Sequence, residues 1–509
     1  MARWVLRYTT PQKRKPLSQY LFLIIVSGVI TFFTITYSAP KIHNGIRPLS
    51  LLKTDPTVNN TQCSNASMFI KSKDFQQAIQ CILLNEDKRN DLDSLKNIPN
   101  NNYKLDNENR KGNVPTNTFT NISRCSNEGL CDTRSLNILA RQWKVNQANC
   151  KAIFTGNKTN IDEGIRQANE TKHPLLSNSF YLNLTENCDL FKLTRGYVTC
   201  LMTQEEQEFS IAFSILVFKD IEMVERLLRA IYRPQNYYCI HVDAKADKEF
   251  FLAVSAIAQC FTNVFLTAER VDVQWGQFSV LEPELICMKQ LWRYTKWKYF
   301  INLTGQEFPL KTNAQLVKIL KAFNGANDIE GVIKRANLDR WPTHPPRGLR
   351  PVKGAVHVIV NRDFVNYILH NDTAKDLLEW VKRTGVPDET FFATLNHNPQ
   401  LGIRGSYKGD PETDEVTKPF NARFKNWGGT IPCAGRFVRG ICILTTGDLP
   451  LLYDTKKLFA NKFYLWEDFL SVGCLEEKLM NDTRDEFLGV KTFNVSYYES
   501  LAIVKNRVV

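Results

Sequence analysis

The 509 residues carry 65 Lys and Arg against 52 Asp and Glu, a net charge of +13, with 43% hydrophobic residues and thirteen cysteines. That length allows a substantial core with accessory segments. Five of the positive charges fall before residue 16 and the others form no basic run, which argues against nucleic acid as a partner and supports at most a mild attraction for an anionic ligand.

The first predicted element is a membrane anchor. Arg3, Arg7, Lys13, Arg14 and Lys15 precede an uncharged apolar run over 20–37, YLFLIIVSGVITFFTITY, and no acidic residue appears before Asp55. About 18 residues at 1.5 Å each approach the roughly 30 Å of bilayer hydrocarbon. The positive-inside rule keeps residues 1–19 cytoplasmic and sends everything after the 20–38 anchor across the membrane. A cleaved signal peptide is the alternative, but the run exceeds a usual h-region and Ser38-Ala39-Pro40 is a poor cleavage site.

Residues 39–145 read as an irregular lumenal stem, polar and rich in Asn, as in NIPNNNYKLDNENRKGN. All thirteen cysteines lie beyond the anchor, where disulfides persist. Cys63, Cys81, Cys125 and Cys131 could staple the stem. Ten N-x-S/T sequons begin at Asn59, Asn65, Asn121, Asn157, Asn169, Asn183, Asn302, Asn371, Asn481 and Asn494, in keeping with the secretory pathway. Asn302 follows an apolar strand and is expected to be too buried for a glycan.

The 146–509 segment is the expected catalytic domain. IAFSILVF at 211–218 suits a strand buried on both faces. Met223, Val224, Leu227, Leu228 and Ile231 line one helical face, which Pro234 stops. YYCIHVD at 237–243 is a second strand, EFFLAVSAIA a second helix and NVFLT a third strand. Leu281, Leu285, Met288 and Trp292 mark another helix, WKYFINL at 297–303 a strand, and Asn313 the cap of a helix carrying Leu316, Val317 and Leu320. Alternating strands and helices predict an α/β domain with a mainly parallel sheet. Ligands gather at the carboxyl ends of such strands, where Asp243 could accept hydrogen bonds from a nucleotide or simply form a turn. No G-x-G-x-x-G or Walker loop is present, and no Cys or His grouping has zinc-site spacing.

Two later segments can carry chemistry. In TGVPDETFFATL at 384–395, Pro387, Asp388 and Glu389 have the composition of a helix start, while either carboxylate could act as a general base. In CAGRFVRGIC, Cys433 and Cys442 flank a loop with Arg436 and Arg439, and Lys462 sits in FANKF. Such a loop would suit a pyrophosphate, against the alternative of solvated surface charge.

The stretches LLRAIYRPQNYYCIHVDAKAD, AIAQCFTNVFLTAE, LICMKQLW, WKYFINLTGQEFPLKTN, VPDETFFATL and LFANKF closely resemble the core 2 type β-1,6-N-acetylglucosaminyltransferases of glycosyltransferase family 14. The resemblance runs from about Cys150 to about Leu475. It implies a single-pass type II Golgi membrane protein with a GT-A-like lumenal domain. Its reaction would be inverting transfer of N-acetylglucosamine from UDP-GlcNAc to the 6-hydroxyl of an O-glycan sugar. Glu389 falls on the family's base, and Arg439 and Lys462 on the basic residues that support the diphosphate without a metal or other cofactor. Asp243 would contact the donor. Asp243 and Asp247 are too far apart for the DxD metal motif; Asp91-Leu92-Asp93 has that spelling but lies in the expected stem.

The family's disulfides match Cys150–Cys474, Cys188–Cys260, Cys239–Cys287 and Cys433–Cys442, leaving Cys200 and the stem cysteines unassigned. On the acceptor side, Glu330 and Arg340 match a Glu and an Arg, and Trp427 a Trp that could stack on a sugar or pack in the core. Asn337 and Gly429 stand where the family has a Lys and a Tyr. Related readings are a transferase that branches N-acetyllactosamine, one that resembles the protein xylosyltransferases, and a non-catalytic glycan-binding ectodomain. The partners implied are UDP-GlcNAc, glycoprotein O-glycans and a membrane; a homodimer is compatible.

Overall fold

The computed structural model describes residues 130–171 and 174–509. The expected cytoplasmic tail, anchor and most of the stem lie outside these residues, as do Cys63, Cys81, Cys125 and Asp91-Leu92-Asp93. The last part of the expected stem does not behave as a tether. Leu130 bridges to Leu201, and the helix Thr133–Gln142 buries Leu136 and Leu139 with Val198, Met202 and Met480. Cys131, expected to staple the stem, is paired instead with Cys200, 69 residues away. The folded domain therefore begins by residue 130, because this helix has an apolar face that needs a partner.

The main sheet has six strands: β1 (Ser210–Val217), β2 (Tyr237–Val242), β3 (Val264–Leu266), β4 (Trp297–Thr304), β6 (Asp328–Ile329) and β7 (Val358–Asn361), in the order β3-β2-β1-β4-β7-β6. β1 pairs in parallel with β2 and β4, and β2 with β3, whereas β7 runs antiparallel to both β4 and β6. The sheet is thus mixed, with β7 as the reversed strand. The expected parallel pairing holds for β1–β4, where long helical crossovers separate the strands.

β1 is buried along almost its whole length, as its continuous apolar run requires. Side chains alternate across it. Phe213 stacks on Tyr238 in an aromatic cluster with Tyr232 and Phe261 on one face, and Ala212 joins Cys239, Leu281, Met288 and Trp297 on the other. The helix Ile221–Ile231 ends at the expected place before Pro234. The helix Asn313–Ala322 is capped not by Asn313 but by Thr312, whose hydroxyl accepts from the Gln315 amide in a capping box. Asn313 is drawn elsewhere: its amide donates to Glu206 and accepts from Asn236.

The structure pairs Cys150–Cys474, Cys188–Cys260, Cys239–Cys287 and Cys433–Cys442 in addition to Cys131–Cys200. Cys239–Cys287 fastens β2 to the helix Glu282–Leu291. Cys150–Cys474 joins residues 324 positions apart, which in the chain-entropy account is worth up to about 5 kcal/mol.

A second, three-stranded sheet is made by β5 (Glu307–Pro309), β8 (Arg423–Phe424) and β11 (Phe459–Asn461), with β11 central. β5 begins three residues after β4 ends, so this sheet stands against the carboxyl edge of the main one. Glu307 fixes that position. Its buried carboxylate accepts from Arg423 Nε at 2.8 Å and from Asn461 Nδ2 at 2.9 Å, and lies 2.6 Å from His357 Nε2. Burial pushes the Glu307 carboxyl up, but Arg423 and then His357 outweigh it and bring it down to about 2.

Two outcomes are expected. Arg423→Met leaves Glu307 buried without its guanidinium and should lower unfolding stability by about 3–5 kcal/mol. Denaturant titration should recover much of that loss in the Arg423→Met/Glu307→Gln double variant. Glycopeptide mapping should find Asn302 unmodified, because it is 2% exposed and its amide donates to Glu284 and to the Val356 carbonyl.

Candidate active site

The carboxyl edge of the main sheet gathers the chemistry. Phe218 and Lys219 follow β1, Asp243 follows β2, Glu307 lies just beyond β4 and Glu330 follows β6. Because β7 is reversed, its amino end with His357 reaches the same edge. Asp243 is held in place on three sides. Its amide donates to the Val217 carbonyl, its carboxylate accepts from Lys245, and its carbonyl accepts from Arg270. Lys245 also reaches Asp272, tying down the segment after β3.

Glu389 closes a short 3-10 turn, Pro387–Glu389, that leads into the helix Phe391–Asn396. The segment is a helix start, as its composition suggests, yet neither carboxylate caps it. Glu389 instead forms an ion pair with Arg340, and Lys353 Nζ lies 3.8 Å from the same oxygen. The backbones enforce this meeting: the Gly385 amide donates to the Arg340 carbonyl and the Gly354 amide to the Glu389 carbonyl. Gly354 is required there, since a Cβ would come within 2.5 Å of the Glu330 carbonyl and 2.7 Å of Ala393. This glycine lets the Glu330 and Glu389 segments approach each other.

Asp388, next in sequence, has the opposite environment. It is buried, one of its oxygens has no hydrogen-bond partner, and burial followed by the Glu389 charge pushes its carboxyl up to about 7. The adjacent carboxylates thus differ: Glu389 is ion-paired and half-buried, and Asp388 is buried with its carboxyl raised toward neutrality.

Strand β8 leads to Lys425 and Trp427. Burial lowers the Lys425 ammonium below the usual lysine range; Glu330 opposes this, and Lys353 and Arg423 add to it. Lys425 therefore lies near Glu330, Lys353 and Arg423. It also lies 5.7 Å from the Trp427 ring, and Trp427 is 61% exposed rather than packed in the core. The other neighbour of Trp427 is the hairpin of β9 (Phe437–Val438) and β10 (Ile441–Cys442): a Cβ on Gly440 would lie 3.7 Å from the indole.

Arg439 and Gly440 are the two central residues of that hairpin, both at positive φ, as a type I′ turn demands. The Cys433–Cys442 bridge closes the loop. Lys462 follows β11, nearly buried, and the Leu444 amide donates to its carbonyl. Burial lowers its ammonium, and Arg439, Arg436 and Lys219 push it further down. Cations therefore converge here, and of them only Arg436 has an ion-pair partner among the described residues, Glu467.

The expected residues thus fall on one edge of the fold in two groups. Arg340, Glu389 and Glu330 are on one side, Arg439 and Lys462 on the other, with Lys425 and Trp427 between them. Sequence reasoning missed Lys353, Lys425 and Lys219. Lys353 and Lys425 lie near no recognisable pattern, and only the bridge between Val332 and Lys353 and the course of β8 bring them in. Asn337, where the family has a Lys, caps the 3-10 turn Leu338–Arg340. Among the described residues, no three His, Cys, Asp or Glu side chains group as a metal-ligand set.

A mixed α/β sheet bearing a paired carboxylate and a group of unneutralised cations on its carboxyl edge is the layout of a group-transfer enzyme with an anionic donor. Comparison with known proteins makes this specific. Residues 211–452 match the family described as Branch, the Core-2/I-Branching enzymes. A beta-1,3-galactosyl-O-glycosyl-glycoprotein beta-1,6-N-acetylglucosaminyltransferase of Bos taurus is 36% identical over 365 residues, 65% of this chain and 84% of that protein. Its namesake in Homo sapiens is 34% identical over 380 residues, covering 67% and 87%. A third relative, enzyme 3 of the same name from Homo sapiens, is 35% identical over 362 residues, covering 65% and 82%. The chain belongs to the Core-2/I-Branching enzyme family.

The environment of Asp388 gives a pH prediction. Its folded carboxyl, at about 7, lies above its unfolded value near 3.9, so its contribution is full below about pH 4 and is lost as pH rises to 7. Asp388→Asn removes that loss. Its stability relative to the parent should climb by up to a few kcal/mol from pH 4 to 7 in chemical denaturation; a constant difference would contradict the assignment.

Proposed function

We infer that this protein transfers N-acetylglucosamine from UDP-GlcNAc to the 6-hydroxyl of an O-glycan sugar, with inversion and without a metal ion, making a β-1,6 branch. The β-1,6-N-acetylglucosaminyltransferase activity of the relatives supports the transferred sugar and the linkage, and their β-1,3-galactosyl-O-glycosyl-glycoprotein acceptor supports the core 2 reading over N-acetyllactosamine branching. The observation that carries the mechanism is Trp427. Its indole lies beside the Arg439 hairpin and 5.7 Å from the Lys425 ammonium, whose own charged neighbours include Glu330 and Lys353, and this chain of contacts supports the reading.

In this reading Glu389 takes the proton of the acceptor hydroxyl as that oxygen attacks the anomeric carbon. The bond from that carbon to UDP breaks on the opposite face, and its electron pair goes to the diphosphate. Arg439 and Lys462 stabilise the charge that develops there, the task a bound metal performs in other transferases. Arg340 and Lys353 orient the base, and Glu330 and Trp427 bind the acceptor sugar through hydrogen bonds and an aromatic face. Asp243 hydrogen-bonds the nucleoside. We further assign residues 1–19 to a cytoplasmic tail, 20–38 to a signal anchor and the sequence beyond to the Golgi lumen, as a type II membrane protein.

The test is full-length protein in detergent with UDP-GlcNAc and a β-1,3-galactosyl O-glycan acceptor. Glu389→Gln should reduce turnover by roughly 10²–10⁴-fold while UDP still binds. Activity should persist in excess EDTA. Unchanged turnover would remove Glu389 from its role, and a strict need for added divalent ion would overturn the cationic mechanism.

A further inference from the structure

One basic residue at the carboxyl edge has no role in the mechanism above. Lys219, two positions beyond β1, is exposed and forms no ion pair among the described residues. It is nevertheless held in place. Its ammonium lies 4.6 Å from the ring centroid of Trp466 and 5.8 Å from that of Tyr464. These two rings stack on each other, 4.2 Å apart and 18° from parallel. The Lys462 ammonium lies 5.7 Å from the same Tyr464 ring.

The aromatic pair is firmly seated. Phe463 before it is fully buried, and its amide donates to the Gln306 carbonyl. After Tyr464, the amides of Glu467 and Asp468 both donate back to its carbonyl, and Asp468 caps the helix Phe469–Phe487. Trp466 remains 43% exposed above this turn.

Two ammonium groups that share a ring repel each other, and no carboxylate pairs with either. The negative faces of the rings offset part of that repulsion and hold both cations in position. Asp220, beside Lys219 in sequence, is partly buried, and burial raises its carboxyl while Lys219 lowers it; it makes no ion pair with Lys219. A preorganised set of cations in which Lys219 and Lys462 lack an ion-pair partner among the described residues is suited to a polyanion.

We propose that Lys219, held by the stacked Tyr464–Trp466 pair, is a third cation for the nucleoside diphosphate, beside Arg439 and Lys462. This rests on the donor-site reading given above. Tyr464 and Trp466 are positioning residues in it: they act through Lys219 and Lys462 rather than on the sugar. Repulsion from Lys219 is also one of the influences that lower the Lys462 ammonium.

The test is calorimetric titration of the full-length protein in detergent with UDP, with uridine as the probe that lacks phosphate. Lys219→Met should weaken UDP about tenfold, leave uridine unchanged and raise KM for UDP-GlcNAc but not for the acceptor. Lys219→Arg should restore most of the affinity. Trp466→Ala should raise the donor KM by a smaller factor with kcat little altered, and it should leave the acceptor KM unchanged. Lys462→Met separates the two levels of the argument. If it weakens UDP while Lys219→Met does not, the third cation is wrong and the donor site stands. If neither changes UDP affinity, the donor site itself is wrong and this proposal falls with it.

Discussion

The buried carboxylate of Glu307 is the constraint on which the site depends. It belongs to β5, yet its partners come from β8, from β11 and from the residue before β7. Two of these partners lead into segments of the candidate site: Arg423 to Lys425 and Trp427, and Asn461 to Lys462. A buried ion pair of this kind contributes little net stability, because desolvation of both charges offsets most of their attraction. Its effect is geometric. With a full charge out of water, Glu307 needs these partners, so the segments that carry Lys425, Trp427 and Lys462 are held beside β5.

Around that lock the two sides treat charge in opposite ways. On the Glu389 side, Arg340 and Lys353 answer a carboxylate, and burial together with the Glu389 charge pushes the Asp388 carboxyl up to about 7. On the Lys462 side, positive charges approach one another with aromatic rings rather than carboxylates between them. The first environment suits a group that must accept a proton from a bound hydroxyl. The second is incomplete until an anion arrives, which concentrates binding energy on a charged donor and on its charged leaving group.

Much of this was legible beforehand. IAFSILVF suited a strand covered on both faces, and the parallel β1–β4 pairing followed from helices alternating with strands. Glu389, Arg439 and Lys462 stood out through family resemblance, and the four disulfides it implied are present, alongside Cys131–Cys200, which it did not assign. Local rules failed where long-range partners competed. Asn313 looked like a cap, but Glu206 and Asn236 claimed its amide and Thr312 took the cap. Cys131 looked like part of a stem, but the helix after it buries an apolar face and carries the cysteine to Cys200. Lys219 carries no signal in sequence at all, since nothing local links it to Tyr464 and Trp466 some 245 positions later.

The sequence by itself determined the class of fold, the strands and helices of its first half, and which stretches resemble the family. These are properties of local periodicity and of short, distinctive stretches. Only the tertiary structure decided which side chains meet. It reversed β7, drew Lys353 to Glu389, left Trp427 exposed beside the Arg439 hairpin and gathered unpaired cations around one aromatic pair. The physical reason is that burial and Coulomb interactions depend on distance in space, and the chain sets those distances only when Glu307 and its partners close around one another.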